Sequence, residues 1–438
     1  MSATILFLLG AIVAGLPVSA RARHRDGVAA VAGASLLTGL GFIAVVMLVV
    51  SLAGLKWSVP AIVAGVAILA IGSVAAIPPD RRSAIARQTP TAVEMVGSIC
   101  VDLLVLVLVG GHLLYVTSAN LWEWDFTGIW GLKGATFLAD GGVDLRDLSE
   151  SFSFSHPDYP PLLPLLYAGI GLIRGGWGES GLAIAGSAAA IASLLVIRAE
   201  LRRRLRRRVL VSLGTLALTS AMFDVPVGLA DGLLLAFLAP AILSIAGSGD
   251  PADRGDFLGW IWLGFAALTK NEGIAAIVAV GIVFAIARRR LLLRIVIAAT
   301  IAMLWIVPRA VYGLATDLST GDPLTRISAN VYQLGTVIFA TPPAHWIQWS
   351  IAVAALVTSW RFVGSDRWIL SFAVIQTVFY LGAYLVTPHD VSWHVMTSWP
   401  RLTMHLLPLV VVVVMTSLAR SLAWTREDAA GEEISVRA

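Results

Sequence analysis

Side chains able to handle protons, metals or phosphates are concentrated between Leu121 and Tyr167, in the stretch LWEWDFTGIWGLKGATFLADGGVDLRDLSESFSFSHPDYPPLLPLLY. Glu123, Asp125, Lys133, Asp140, Asp144, Asp147, His156 and Asp158 lie there between long apolar segments, interleaved with Trp122, Trp124, Trp130 and Tyr159. Aromatic rings settle at the headgroup level of a bilayer while carboxylates stay hydrated, so this pattern predicts a wet site at a membrane surface. The plain alternative is an ordinary extramembrane loop. Glu123 and Asp125 face the same way if the segment is extended and diverge if it is helical. The sequence FTGIWGLK after them reads as a short amphipathic interfacial helix, which places Asp125 near its start. A carboxylate there gains from the helix dipole, or serves only as a cap. His156 and Asp158, stiffened by Pro157, Pro160 and Pro161, form an imidazole–carboxylate pair suited to a divalent metal or to the phosphate side of a site. Read blandly, Asp158 caps the following PPLLPLLY helix.

Further charges stand at the ends of apolar segments. Asp224 and Asp231 bracket FDVPVGLAD, Lys270 and Glu272 sit in the turn KNE, and Arg401 follows TPHDVSWHVMTSWP. A charge at the centre of a membrane helix costs roughly 2.5 to 3.5 kcal/mol on insertion scales, so such groups have partners or line a polar cavity. A structural pair between Asp231 and Lys270 competes on equal terms with a role toward substrate. At Arg401, snorkelling to lipid phosphate competes with holding a bound phosphate.

The rest of the chain is what must position these groups. Of 438 residues 58% are hydrophobic and only 13% charged, and mean hydropathy is +0.85. Soluble domains carry about 25% charged residues, so the chain reads as an all-α polytopic membrane protein. The net charge of +4 arises largely from basic clusters between apolar runs, RAELRRRLRRR above all, and these set topology rather than bind nucleic acid. The lone Cys100 excludes an intramolecular disulfide.

Segment lengths predict about thirteen transmembrane helices with interfacial helices in the large outer loop, at about 20 apolar residues per crossing. The expected divisions are a three-helix extension at 1–91, a core at 92–419 with outer loops 117–179 and 315–345, and a polar cytoplasmic tail at 420–438, expected to be disordered from Trp424 onward. PPLLPLLYAGIGLIR is too short to cross and is expected to lie along the interface. Charge asymmetry orients the threading with the N-terminus outside. The same threading puts EWD, HPDYP, FDVPVGLAD, KNE and PHDVSWH on one face.

With EWDFTGIWGLKGATF, HPDYPPLLPLLYA, LADGLLLAF, GFAALTKNEGI and YLVTPHDVSWHVMTSWPRL in that order, the chain resembles the GT-C superfamily of membrane glycosyltransferases over roughly residues 92–418. That superfamily includes protein O-mannosyltransferases and lipid A aminoarabinose transferases. The resemblance implies a GT-C-like core and a polyprenyl-phosphate sugar donor. It implies a glycan, lipid or protein acceptor, and a site on the outer face of a bacterial inner or plasma membrane. Residue by residue, it makes Asp125 the catalytic base, with Glu123 as a second candidate and Asp158 in the other half of the loop. His156 and Asp158 match a segment that sometimes holds a metal. Asp224 or Asp231 matches an acidic residue of the second outer loop. Lys270 matches a lysine ending a rising span, and Arg326 or Arg401 the arginine that holds phosphate. Where the superfamily has adjacent acidic residues this chain has Glu-Trp-Asp, and the first ninety or so residues precede the matching region. Other classes compatible with the composition are a transporter or lipid flippase, which calls for ionisable residues mid-span and repeat symmetry, and a non-catalytic subunit of an envelope glycan complex.

Overall fold

The protein is represented by a computed structural model that describes residues 1–77, 89–247, 257–287, 293–314, 316 and 322–437. Among these residues it is helical throughout, with no strand. In chain order the longer helices are α1 (Ser2–Arg23), α2 (Val28–Leu52), α3 (Val59–Ala76), α4 (Ala92–Ser118), α5 (Gly131–Asp140) and α6 (Leu145–Glu150). Then come α7 (Leu162–Arg174), α8 (Leu182–Arg204), α9 (Arg208–Phe223), α10 (Ala230–Ala246), α11 (Phe257–Thr269) and α12 (Asn271–Ala287). The last six are α13 (Ile295–Val311), α14 (Pro323–Ala340), α15 (Trp346–Ser359), α16 (Arg367–Leu385), α17 (Val391–Met404) and α18 (Leu407–Arg437). The basic turns expected at 78–88 and 288–292, the polar turn at 248–256 and part of the loop at 315–321 lie outside the described residues.

Among the described residues six helices, α1 to α4, α8 and α16, are long and apolar enough to cross a membrane, or seven if the bent pair α17–α18 counts as one crossing. Helices α9 to α13 are apolar but shorter, at 10–17 residues. The expected figure of about thirteen crossings therefore exceeds what helix length alone supports.

Backbone packing is closest where side chains are smallest. A Cβ on Gly39 would lie 1.8 Å from the carbonyl oxygen of Ala11, and one on Gly15 would lie 2.0 Å from that of Ser35. Glycine at both positions lets α1 and α2 pack backbone to backbone, as small residues do in membrane helix pairs. The hairpin so formed is not peripheral: α2 packs on α7, α8 and α11, and Trp262 of α11 donates to Thr38 of α2 at 3.1 Å. Of the N-terminal extension only α3 stays at the edge, with 17% of its apolar window buried. Helices α10 and α11 form the centre, buried along almost their whole length.

Four further expectations are corrected. Helix α7 is short, but Leu162 to Gly171 are all buried, so it is a core element rather than one lying along an interface. The basic cluster RAELRRRLRRR, expected between apolar runs, is mostly helical: RAELRRR forms the last turns of α8, and only Leu205, Arg206 and Arg207 connect it to α9. TPHDVSWHVMTSWPR, expected as an outer turn, is largely helix α17, bent by 41° from α18. The backbone of α18 continues to Arg437 through the expected unstructured tail.

The arginine-rich end is closed by buried ion pairs. Arg23, fully buried, binds Glu200 at 2.5 Å and Ser244 at 2.9 Å, and Arg204 binds Asp366 at 2.6 Å, joining α1, α8, α10 and the turn before α16. Helix α16 runs from that turn to Tyr384, a climb of roughly 27 Å at 1.5 Å per residue, and arrives at a cavity at the opposite end.

Candidate active site

Helix α4 delivers the chain to the loop holding Asp125. The carbonyl of Glu123 accepts from the amides of Phe126 and Thr127 at 3.0 and 2.9 Å, so the backbone is already turning helically at EWD. Glu123 and Asp125 therefore diverge. Asp125 lines a cavity of about 480 Å³; Glu123 is not among the lining residues. From Phe126 to Trp130 the chain forms a π-helical turn before α5, a geometry frequent at functional sites. The Asp125 carboxylate caps no backbone amide; it accepts from Arg401 of α17 at 2.6 Å.

The second half of the loop is anchored to the first. Ser155 donates to the carbonyl of Gly128 at 2.6 Å, and Tyr159 stacks between Trp130 and His156, with ring centroids 5.5 and 4.7 Å away. His156 adopts a left-handed backbone with φ +48°. Its carbonyl accepts from the buried Lys133 ammonium at 2.5 Å. Burial pushes the Lys133 pKa down to about 7 against the opposing pull of Asp158. Asp158 does not cap α7, whose first turn has no side-chain cap. One of its oxygens accepts from Asn271 at 2.8 Å and lies 3.7 Å from Arg309, while the other, Oδ1, is buried with no hydrogen-bond partner. Burial is the largest influence on this carboxyl and raises its pKa, with Asn271 and Arg309 opposing.

The remaining wall comes from helix ends. Asp231 occupies the first turn of α10, and Lys270 stands between α11 and α12, where its ammonium lies 3.1 Å from Asp231 and 3.0 Å from Glu272. Arg401 reaches both sides, 2.6 Å from Asp125 and 3.5 Å from Asp231. The structure thus gathers Asp125, His156, Asp158, Asp231, Lys270 and Arg401 around one cavity.

Three candidates fall outside the cavity's lining. Glu123 diverges as described. Asp224 faces outward, its carboxylate 74% exposed and 3.5 Å from His345. Arg326 of α14 donates to the carbonyl of Val386 at 2.7 Å and is not a lining residue. Sequence reading passed over His394, Thr397 and Ser398, which with Arg401 form a polar stripe at helical spacing along α17 and line the cavity. That stripe was hidden by reading the segment as a turn. Tyr380 and Tyr384 of α16 gave no signal, because two tyrosines one helical turn apart in an apolar segment look like core.

No family model, curated protein or solved structure matches the chain. What the arrangement can do is therefore argued from its chemistry. Two cations within reach of the cavity can stabilise an anion, and two carboxylates, Asp125 and Asp158, can accept protons at its wall. A divalent metal is a poor fit. Among the described residues no three His, Cys, Asp or Glu side chains are placed to share a metal, and Asp158 is already engaged by Asn271 beside the cationic Arg309.

Proposed function

We propose that the chain is a GT-C-type membrane glycosyltransferase that moves a sugar from a polyprenyl-phosphate donor to a hydroxyl of a glycan, lipid or protein acceptor. The observation that carries this reading is the 2.6 Å contact between Asp125 and Arg401 at a cavity that also holds Lys270. A carboxylate and two cations there meet both needs of the reaction. The acceptor oxygen attacks the anomeric carbon, Asp125 takes the hydroxyl proton, and the bond from that carbon to the phosphate oxygen breaks. The leaving phosphate keeps the electron pair, and Arg401 with Lys270 offsets the charge. Guanidinium can hold two phosphate oxygens at once, which suits Arg401 to this task. In the full reading the shorter helices α9 to α13 and α15 also cross, which with the six long helices and the α17–α18 pair gives about thirteen spans. The site then faces the outer side of a bacterial inner membrane, where a lipid-borne donor can reach it from the same leaflet.

A transporter or flippase reading is less favoured. Asp231 and Lys270 occupy the ends of α10 and α11 rather than their middles, and a carrier path calls for ionisable groups at the membrane's midplane. Mass spectrometry of lipid co-purifying with the solubilised protein tests the transferase reading. A polyprenyl phosphate, lost in Arg401→Ala, is expected; its absence from wild-type protein, together with no transfer from a synthetic donor, refutes it.

A further inference from the structure

Asp158 is 1% exposed, yet it borders the cavity, and its Oδ1 atom has no hydrogen-bond partner. Buried carboxylate oxygens are normally satisfied, so an orphaned one beside a polar cavity marks where a ligand's donor belongs. The surroundings fix which of the two oxygens is offered. Arg309 can only donate, and its Nη1 atom lies 3.2 Å from Asn271 Oδ1, so the Asn271 amide must turn its carbonyl to the arginine and its amino group to Asp158. That amino group donates to Asp158 Oδ2 at 2.8 Å, and Trp305 holds the Asp158 carbonyl at 2.9 Å. Oδ1 is the atom left over.

A cationic ligand group at Oδ1 would meet Arg309, whose guanidinium is 3.7 Å from Oδ2, and an anion would meet the carboxylate itself. A neutral donor suits both neighbours. Trp130, Tyr159 and His156 line the cavity beside Asp158, so a neutral ligand there meets aromatic side chains together with one polar acceptor, the mixed lining that a small ligand with both ring carbons and hydroxyls suits. We propose that Asp158 Oδ1 accepts a hydrogen bond from a hydroxyl of a neutral polyol-class ligand, in a subsite separate from the cations at Arg401 and Lys270. The transferase reading is needed only to name that ligand as substrate.

The Asn271 geometry supplies a test by polarity. In Asp158→Asn, the new amide must give its carbonyl to the Asn271 amino group and so turns its own amino group toward the cavity, replacing acceptor by donor at unchanged shape. In Asp158→Asn with Asn271→Asp, the carboxylate at 271 accepts from both Arg309 and the amide at 158, and the amide carbonyl faces the cavity again. Methyl glucoside, a neutral polyol, would be titrated by saturation-transfer NMR against protein in lipid nanodiscs, with decaprenyl phosphate binding measured in parallel. The single variant is expected to weaken methyl glucoside by about tenfold, because the hydroxyl loses a charged acceptor and has to turn round to accept, and the double variant, which offers a neutral carbonyl, to recover part of that loss. Folding of both variants is read independently of ligand, from far-UV circular dichroism and the thermal midpoint of the solubilised protein.

No methyl glucoside binding to wild type, equal binding to the single variant, or no recovery in the folded double variant overturns the proposal. If the polarity pattern appears while decaprenyl phosphate binds none of the proteins, the hydroxyl subsite stands and the transferase reading falls. Displacement of methyl glucoside by decaprenyl-phosphoryl glucose, but not by decaprenyl phosphate, assigns the hydroxyl to the donor's sugar. Persistence beside the glycosylated donor assigns it to the acceptor, and either result upholds the subsite.

Discussion

Arg401 holds Asp125 at 2.6 Å while standing 3.5 Å from Asp231, so one guanidinium bridges an exchangeable carboxylate and a buried one. Asp125 is about a third exposed at 30% and can turn away, whereas Asp231 at 2% cannot. A donor phosphate reaching Arg401 must therefore compete with Asp125. Asp125→Asn is expected to lower transfer by about 10² to 10⁴, the usual worth of a general base. Decaprenyl phosphate binding should be retained or tightened. Arg401→Lys should weaken both binding and turnover. Near-normal transfer by Asp125→Asn would reduce the pair to a structural contact.

Lys270 and Asp231 are both buried, and removing the lysine takes from Asp231 its nearest cation and leaves it Arg401 at 3.5 Å. Lys270→Met is expected to destabilise the protein by up to about 3 kcal/mol, the low end of what a stranded buried charge costs, because Arg401 still faces Asp231. Adding Asp231→Leu should recover most of that loss without recovering anion binding. Denaturation in detergent micelles reads the first quantity and decaprenyl phosphate titration the second; a stable single variant would show that solvent reaches the pair.

Lys133 has its pKa pushed from 10.5 down to about 7 by burial. Between those values the unfolded chain binds one more proton than the folded one, so this group makes stability rise with pH across that window. Below about 7 both forms are protonated and the cost of burying the ammonium is fully present. Measured from pH 6.5 to 9, the thermal midpoint of wild type should rise relative to that of Lys133→Met. A constant gap would place the Lys133 pKa elsewhere.

The sequence by itself determined that the chain is helical and strongly apolar, and where most of the helices lie. Both follow from local composition and from runs of apolar residues bounded by glycine, proline and charge. It also singled out Asp224, Asp231, Lys270 and Arg401, because charges at the ends of apolar helices are costly enough to stand out, and Glu123, Asp125, His156 and Asp158 through the aromatic-rich acidic loop that holds them. Only the tertiary structure decided which of these meet. Asp125 and Arg401 are 276 residues apart, and nothing local distinguishes Arg401 from Arg326, which binds a backbone carbonyl, or Asp231 from the outward-facing Asp224. Helix α7 reads as interfacial from its length but is buried, because what covers its second face comes from α1, α2, α5 and α11. The orphaned oxygen of Asp158 was equally illegible: Asn271, Arg309 and Trp305, all more than a hundred residues away, engage its other carboxylate oxygen and its backbone carbonyl, and only their placement shows which oxygen is left over.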